Sequence, residues 1–128
     1  YAVGGTRYEI AIEDRTVEQQ FTDIGAKTIA NYEQEIGQAK TLFVNGPAGV
    51  YEDPVFEDGT KAICSAIADA DGYSVIGGGD TVTAATKFVD LDKIDYVCTA
   101  GGAMVRYLSG KKLPLIEAME KAYQRDSA

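Results

Sequence analysis

The segment best suited to chemistry in this sequence is a glycine run followed by an acid and a hydroxyl residue. Gly77, Gly78 and Gly79 follow an apolar run, and Asp80 and Thr81 come directly after them. Glycine lets the backbone turn sharply and approach a ligand closely. The first amides of a following helix are unpaired and partly positive, which suits a phosphate group. The pattern therefore predicts a nucleotide site with a metal ion beside Asp80.

Asp80 and Thr81 each admit two interpretations. Asp80 can cap the start of the helix, a role that Asp favours, or it can hold Mg²⁺ between the protein and phosphates. Thr81 can cap the same helix or donate a hydrogen bond to phosphate. The sequence has no Gly-Lys-Ser/Thr phosphate loop and no GxGxxG motif after a strand. The two best-known phosphate loops are therefore excluded.

Two other glycine-rich turns, at residues 45–49 and 100–102, also follow apolar runs. Asn45 can close a turn with its own side chain or reach a phosphate. Glu52 lies in the acidic stretch after the first of these turns, where it is either a solvated carboxylate or an acceptor for ribose hydroxyls. Arg106 and Lys111, near the second turn, are either solvated or compensate phosphate charge. Tyr51 and Phe56 are interpreted as packing residues.

Alternating apolar runs and amphipathic stretches must position these groups. The patterns predict strands over residues 8–12, 41–44, 73–76 and 94–99, and helices over residues 27–36, 61–70, 81–88, 104–108 and 113–125. Asp23 is predicted to lie at the N-cap of the first helix and Thr60 to cap the second. Pro114 lies near the start of the last helix, where proline is tolerated.

Strand and helix alternate from about residue 42, which predicts one α/β domain over residues 1–128. We expect a three-layer, Rossmann-like fold whose mostly parallel sheet has helices on both faces. Ligands of such sheets bind beyond the carboxyl ends of the strands. If the strands are neighbours, the three glycine-rich turns line one crevice, and a phosphate-bearing ligand becomes the best interpretation.

Composition narrows the possible partners. The 128 residues carry a net charge of −8 and contain no histidine, which argues against non-specific nucleic-acid binding. No apolar run is long enough to span a membrane and nothing resembles a signal peptide, so a cytoplasmic location is expected. Cys64 and Cys98 lack metal or redox spacing and are expected to be buried thiols. The first residue is Tyr1 rather than Met, so we expect a fragment or a processed chain.

Several motifs together resemble one family, phosphoglycerate kinase. The run FVNGPAGVYE at residues 43–52 is similar to its NGPxGVFE segment, and SVIGGGDT at residues 74–81 resembles its nucleotide loop. The run TAGGA at residues 99–103 resembles its late TGGGA turn, and DIGAKTI at residues 23–29 resembles the start of the helix before the NGP strand. The resemblance covers about residues 23–122, and the features of residues 1–12 and 23–29 resemble the archaeal type.

The resemblance implies the later part of the C-terminal, nucleotide-binding domain of a two-domain kinase. That kinase moves a phosphoryl group reversibly between 1,3-bisphosphoglycerate and ADP, giving 3-phosphoglycerate and Mg-ATP. The N-terminal domain that binds the glycerate has no counterpart here, so this chain alone is expected to be inactive. The resemblance implies that Asp80 holds the metal and that Glu52 takes the ribose hydroxyls.

The remaining implied roles concern the nucleotide and the transferring group. Gly77, Gly78, Gly79 and Thr81 meet the phosphates, and Asn45 lies near them. Pro47 and Val50 border the base, while Gly101 and Gly102 form a helix start that faces the transferring phosphoryl group. Two departures stand out: Ala100 replaces the first glycine of the late turn, and Phe21-Thr22 replaces the usual Gly-Leu or Gly-Met beside the base. The alternative function is a non-catalytic nucleotide-binding or interaction module.

Overall fold

The structure is a computed structural model that describes residues 6–16, 18 and 20–127, and a parallel sheet forms its centre. Strands β1 (Thr41–Asn45), β2 (Tyr73–Gly77) and β3 (Tyr96–Cys98) lie side by side in that order. Both pairs are parallel, and β1 pairs with β2 over its whole length. The predicted α/β class and the parallel pairing are confirmed.

Helices connect and follow these strands. Among the described residues the α-helices are α1 (Ala26–Gln38), α2 (Asp58–Asp69), α3 (Gly79–Phe88), α4 (Gly102–Leu108) and α5 (Pro114–Asp126), and two short 3-10 helices span Ile12–Asp14 and Leu91–Lys93. Each predicted helix is present with its ends moved by up to three residues. Pro114 occupies the first turn of α5, as predicted, because the proline lacks an N–H that would be unpaired there in any case.

The core lies on one face of the sheet. Leu42 and Ile76 project from β1 and β2 and pack with Ile67 of α2, Ala85 of α3 and Ile94, all of them buried. Because successive side chains of a strand point to opposite faces, the intervening residues lie on the other face. That face carries three half-exposed aromatic side chains, those of Phe43, Tyr73 and Tyr96. The main core therefore lies on one face, and Met104 of α4 lies against Gly77 on the other.

The two cysteines are free and each is half-buried rather than fully buried. Cys64 packs at the edge of the core, and burial raises the pKa of its thiol. Cys98 is the last residue of β3. The expectation of small buried thiols therefore holds only in part, because each residue keeps some exposure.

The segment before α1 differs from its predicted form. The sequence predicts a strand over residues 8–12, but the described residues 6–11 form no strand, and Ile12–Asp14 is a 3-10 helix. Side chains anchor this segment instead. The Arg7 guanidinium donates to Asp58 at 2.6 Å, and Glu9 accepts a hydrogen bond from the Ala26 amide at 3.2 Å. The strand prediction is wrong because alternation alone does not supply a neighbouring strand to pair with.

The side chains that bind the first amides of α1 and α2 are not the ones predicted from the sequence. Glu9, rather than Asp23, accepts from the first amide of α1. The buried Asp23 carboxylate accepts from the Gly59 amide at 3.0 Å, in the first turn of α2. Thr60 lies inside α2 and accepts from the Gly49 amide at 3.0 Å. Both cap predictions are wrong, because an amide is capped by whichever oxygen the fold brings near it, whatever its place in the sequence.

Ser74 and Asp95 join β2 to the segment before β3. The Asp95 carboxylate accepts from the Ser74 amide at 2.7 Å and from its hydroxyl at 3.0 Å, while the Asp95 amide donates to that hydroxyl at 3.1 Å. The hydrogen bond from the Ser74 backbone amide contributes most to lowering the pKa of Asp95, and the bond from the Ser74 hydroxyl comes second. Hydrogen bonds to the charged form favour that form. The interaction therefore stabilises the fold more strongly when Asp95 is ionised.

We expect this pair to make unfolding acid-sensitive. The folded pKa lies below the unfolded value of about 3.9, so the contribution is complete above that pH and is lost as the pH falls through the folded pKa. In thermal melts from about pH 2 to pH 7, Asp95→Asn should lower the melting temperature at neutral pH and flatten its decline in acid. The control is Asp92→Asn, an exposed acid on the preceding 3-10 helix. Identical acid profiles for wild type and Asp95→Asn would contradict the assignment.

Candidate nucleotide site

The three glycine-rich turns meet at the carboxyl ends of the neighbouring strands. The Asn45 side-chain oxygen lies 2.9 Å from the position that a Cβ atom would take at Gly78, and 3.1 Å from that position at Gly101. The Gly78 amide donates to the Cys98 carbonyl at 3.0 Å. The turns at residues 45–49, 77–81 and 100–102 thus line a single crevice, as the sequence predicts for neighbouring strands.

The crevice has no room for larger residues at its centre. A Cβ atom at Gly77 would lie 3.0 Å from the Met104 side chain, and one at Gly101 would lie 3.2 Å from the Gly78 Cα atom. Gly78 also has a φ of +96°, a conformation that only glycine adopts without strain. Gly79, by contrast, is exposed and faces open space. Glycine is therefore required for turn geometry and close contact at Gly78, whereas at Gly79 it leaves the backbone open.

Thr81 connects the first two turns. Its buried hydroxyl accepts a hydrogen bond from the Gly46 amide at 2.6 Å. Neither Thr81 nor Asp80 caps α3, since its N-cap residue is Gly78 and no side chain caps it among the described residues. A hydroxyl that accepts a hydrogen bond still has a proton to donate, so Thr81 retains one donor for a ligand. The first amides of α3 remain available to an anion.

Asp80 is exposed in the first turn of α3, and its carboxylate has no hydrogen-bond or ion-pair partner within the described part of the chain. The described residues also contain no group of three or more acidic, Cys or His side chains that could hold a metal. Mg²⁺ in phosphate sites is commonly held by one or two carboxylates together with phosphate oxygens and waters. A single carboxylate without a partner in the described residues, next to the unpaired first amides of α3, therefore fits Mg²⁺ brought in with a nucleotide.

The loop after β1 brings a second carboxylate to the same region. Glu52 is exposed and follows the buried Tyr51. Burial raises the pKa of the Tyr51 phenol, the Glu52 and Asp80 carboxylates raise it further, and Lys87 opposes them. Of these groups, Lys87 is in direct contact with the residue, since its Nζ atom lies 2.8 Å from the Tyr51 carbonyl oxygen. Phe56 is buried as well, at 7% exposure, which confirms that both aromatic residues are packing groups.

The residues predicted to border the base lie farther along the turn. Pro47 is exposed, and the half-buried Val50 donates its amide to the Thr22 carbonyl at 2.8 Å. A cavity of about 300 Å³ lies against the same turn, lined by Tyr32, Glu35, Ile36, Gly46, Ala48 and Ile63. None of the site residues predicted from the sequence lines it. The apolar cavity nevertheless adjoins the same turn through Gly46 and Ala48.

The late turn contributes backbone rather than side-chain charge. Gly101 is the N-cap residue of α4 and Gly102 is its first residue. Arg106 donates from Nε to the Lys112 carbonyl at 2.6 Å, and Lys111 is exposed. Arg106 is exposed, as the solvated interpretation expects, and it also makes a local backbone contact that the sequence did not predict. The Asn45 side chain makes no hydrogen bond within the described residues, so its predicted turn-closing bond is not observed.

Lys87 is the residue of this region that sequence reasoning misses. Its Nζ atom donates to the Tyr51 carbonyl at 2.8 Å and to Glu57 at 2.6 Å. The available signal was its spacing, because a residue seven positions after Asp80 on a helix lies on the same face. That spacing says nothing about a loop 36 residues earlier in the chain.

None of the helices that the structure describes combines the length and the apolar character needed to cross a lipid bilayer.

Comparison with known proteins points to one family. The model of the family "Phosphoglycerate kinase" matches residues 5–111. Relatives named phosphoglycerate kinase come from Methanopyrus kandleri, 45% identical over 91% of this chain, and from Francisella philomiragia, 44% identical over 86% of it. The chain spans 29% and 28% of the length of these two relatives. The match to the Methanopyrus protein supports the archaeal affinity inferred from the sequence.

Solved structures agree with this similarity. Phosphoglycerate kinase from Coxiella burnetii superimposes with a TM-score of 0.74 at 43% identity, over 83% of this chain and 27% of that one. The enzyme from Pyrococcus horikoshii superimposes with a TM-score of 0.68 at 35% identity, over 82% of this chain and 26% of that one. The fold and the sequence thus resemble the same proteins.

Proposed function

Because this chain belongs to the phosphoglycerate kinase family, we propose that it is the Mg-ADP/Mg-ATP-binding part of such a kinase. The observation that carries the proposal is the meeting of three glycine-rich turns at the start of α3, next to the free carboxylate of Asp80. The whole protein would transfer a phosphoryl group reversibly between 1,3-bisphosphoglycerate and ADP. The glycerate would bind to an N-terminal domain outside these residues, and the cytoplasmic location stays a prediction.

The proposed contacts follow the crevice from the phosphates to the base. The amide of Gly79 and the remaining donor of Thr81 bind the nucleotide phosphates, with Gly77, Gly78 and Asn45 beside them. The sequence also predicts a phosphate contact for the Gly78 amide, but that amide already donates to the Cys98 carbonyl at 3.0 Å. Glu52 accepts from the ribose hydroxyls. Pro47 and Val50 border the base. Gly101 and Gly102 direct backbone amides towards the transferring group. The backbone amides and the Thr81 hydroxyl are donors that match the phosphate oxygens of a nucleoside diphosphate or triphosphate. The Glu52 carboxylate is an acceptor that matches the ribose hydroxyls.

Phosphoryl transfer requires positioning and charge neutralisation more than covalent chemistry. The turns provide preorganised amides, because the Thr81–Gly46 and Gly78–Cys98 hydrogen bonds fix them against one another. Bound at Asp80, Mg²⁺ supplies charge neutralisation of the phosphates. The exposed side of the crevice is where the second substrate would approach. The chain has one half of the reaction site, so we expect it to bind nucleotide without turnover.

The proposal is tested by isothermal calorimetry and a coupled ATP assay on the 128-residue chain. We expect saturable heat with ADP in the presence of Mg²⁺, a much weaker signal after chelation, and no ATP formed from 1,3-bisphosphoglycerate. The absence of nucleotide heat would refute nucleotide binding. ATP production by this chain alone would refute the assignment as an inactive half-site.

The second candidate is a non-catalytic nucleotide-binding or interaction module. Large exposed apolar side chains on α5, including Leu115 at 73% and Tyr123 at 75% exposure, favour it. The native reading frame distinguishes the two functions. Extension upstream of Tyr1 into a glycerate-binding domain supports the kinase, whereas a start codon immediately before Tyr1 supports the module.

A further inference from the structure

Lys87 connects three elements around the proposed nucleotide site. It lies in the last turn of α3, seven residues after Asp80. Its Nζ atom donates to the carbonyl of Tyr51 and to the carboxylate of Glu57, the residue immediately before α2. The ammonium group also lies 5.0 Å from the centre of the Phe88 ring. The ammonium group is therefore engaged in holding the loop and does not point freely into solvent.

The bond to Tyr51 bears directly on Glu52. The carbonyl that accepts from Lys87 belongs to the peptide unit whose nitrogen is that of Glu52, so fixing this carbonyl fixes the start of Glu52. Hydrogen bonds of the Asp53 amide to Val50 and of the Phe56 amide to Asp53 keep the loop folded. They join the loop only to itself. The Gly46–Thr81 hydrogen bond ties the start of the loop to α3. Lys87 ties the later part, at Tyr51 and directly before Glu52, to the same helix.

From this geometry we propose that Lys87 is a positioning residue for the nucleotide site, and the inference rests on the proposed function. By holding the loop against α3, Lys87 sets the separation between the ribose-binding carboxylate of Glu52 and the metal-binding carboxylate of Asp80. A nucleotide can then contact Glu52 with its ribose and the metal at Asp80 with its phosphates without first having to order the loop. The lysine contributes through the loop and touches neither the ribose nor the phosphates.

The experiment compares two nucleotides that differ only in the groups that Glu52 recognises. Mg-ADP and Mg-2′,3′-dideoxy-ADP are titrated into wild type, Lys87→Met and Lys87→Arg. We expect Lys87→Met to weaken Mg-ADP roughly 3- to 10-fold, the range of one or two hydrogen bonds, and to change the dideoxy nucleotide less than about 2-fold. Lys87→Arg retains a cationic donor and should recover part of the loss.

Lys93→Met is the matched control, because Lys93 is an exposed lysine that pairs with Asp69 at 3.1 Å. If Lys87→Met is unfolded at the assay temperature, Glu57→Gln replaces it. That variant weakens the ion pair while leaving the bond to Tyr51, and it should give a smaller loss with the same preference for Mg-ADP.

The outcomes separate the two proposals. If wild type binds no Mg-ADP, the proposed function fails and the role of Lys87 fails with it. If wild type binds Mg-ADP but Lys87→Met weakens both nucleotides equally, or neither, only the positioning role is overturned. The same conclusion follows if wild type binds the two nucleotides with equal affinity, because Glu52 then makes no ribose contact for Lys87 to position.

Discussion

Replacing Asp80 with alanine is expected to lower the affinity for Mg-ADP roughly 10- to 100-fold, the range for a lost interaction with a charged group. The carboxylate is exposed at the start of α3 and has no partner in the described residues, so its removal leaves no buried group unpaired. The loss should therefore appear in binding, with little change in stability. The measurement is calorimetric titration of ADP at saturating Mg²⁺ and after chelation.

The expected signature of Asp80→Ala is a loss of metal dependence. Affinity for metal-free ADP should stay near that of wild type or rise slightly, since a negative charge beside the phosphates is removed. Asp71→Ala is the control, because Asp71 is an exposed acid at the opposite end of β2. Undiminished Mg²⁺ dependence in Asp80→Ala would exclude Asp80 as the metal ligand.

The second large effect is expected at Gly78. Its φ of +96° is unfavourable for any residue with a Cβ atom, and such a residue costs on the order of 1–3 kcal/mol. The added methyl group would also lie 2.9 Å from the Asn45 side-chain oxygen and 3.4 Å from the Thr81 hydroxyl. We expect Gly78→Ala to lower the free energy of unfolding by about 2–3 kcal/mol, as measured by urea denaturation.

Gly79→Ala is the matched control for Gly78→Ala. Gly79 has ordinary helical geometry in α3, and nothing lies within 4 Å of its Cβ position. Alanine is the better helix former, so stability should be unchanged or rise by up to about 1 kcal/mol. In the folded fraction Gly78→Ala should also bind Mg-ADP more weakly, because the turns are pushed apart. Equal stabilities for the two variants would show that the crevice tolerates a displaced turn at Gly78.

The elements near the site were predictable to different degrees. Residues 41–44 and 73–76 are short apolar runs bounded by turn residues, and both are parallel strands. The glycine turns after them are recognisable because positive φ and close approach exclude other residues. The strand predicted over residues 8–12 was wrong because strand formation depends on a partner, and alternation does not reveal whether one is present.

Contacts between distant segments were beyond sequence reasoning. Asp23 was predicted to cap the first helix, but the helix amide it binds belongs to α2, 36 positions later. Thr81 was expected to cap its own helix or bind phosphate, and it accepts from Gly46 of another turn. Lys87 carried no motif at all. In each case the residue type was informative, whereas its partner was fixed by which helix packs beside which strand.

The sequence alone determined the α/β class, the parallel pairing of its strands, the three glycine-rich turns and the membership of a kinase family. These features depend on local periodicity and on backbone conformations that few residue types adopt. Both can be recognised from a few consecutive residues. Tertiary structure decided that the three strands are neighbours and that the turns touch. It also decided that the Asp80 carboxylate does not cap α3 and that Lys87 ties the Glu52 loop to α3. Such contacts join residues about 20 to 36 positions apart, and only packing of the core brings them within hydrogen-bonding distance.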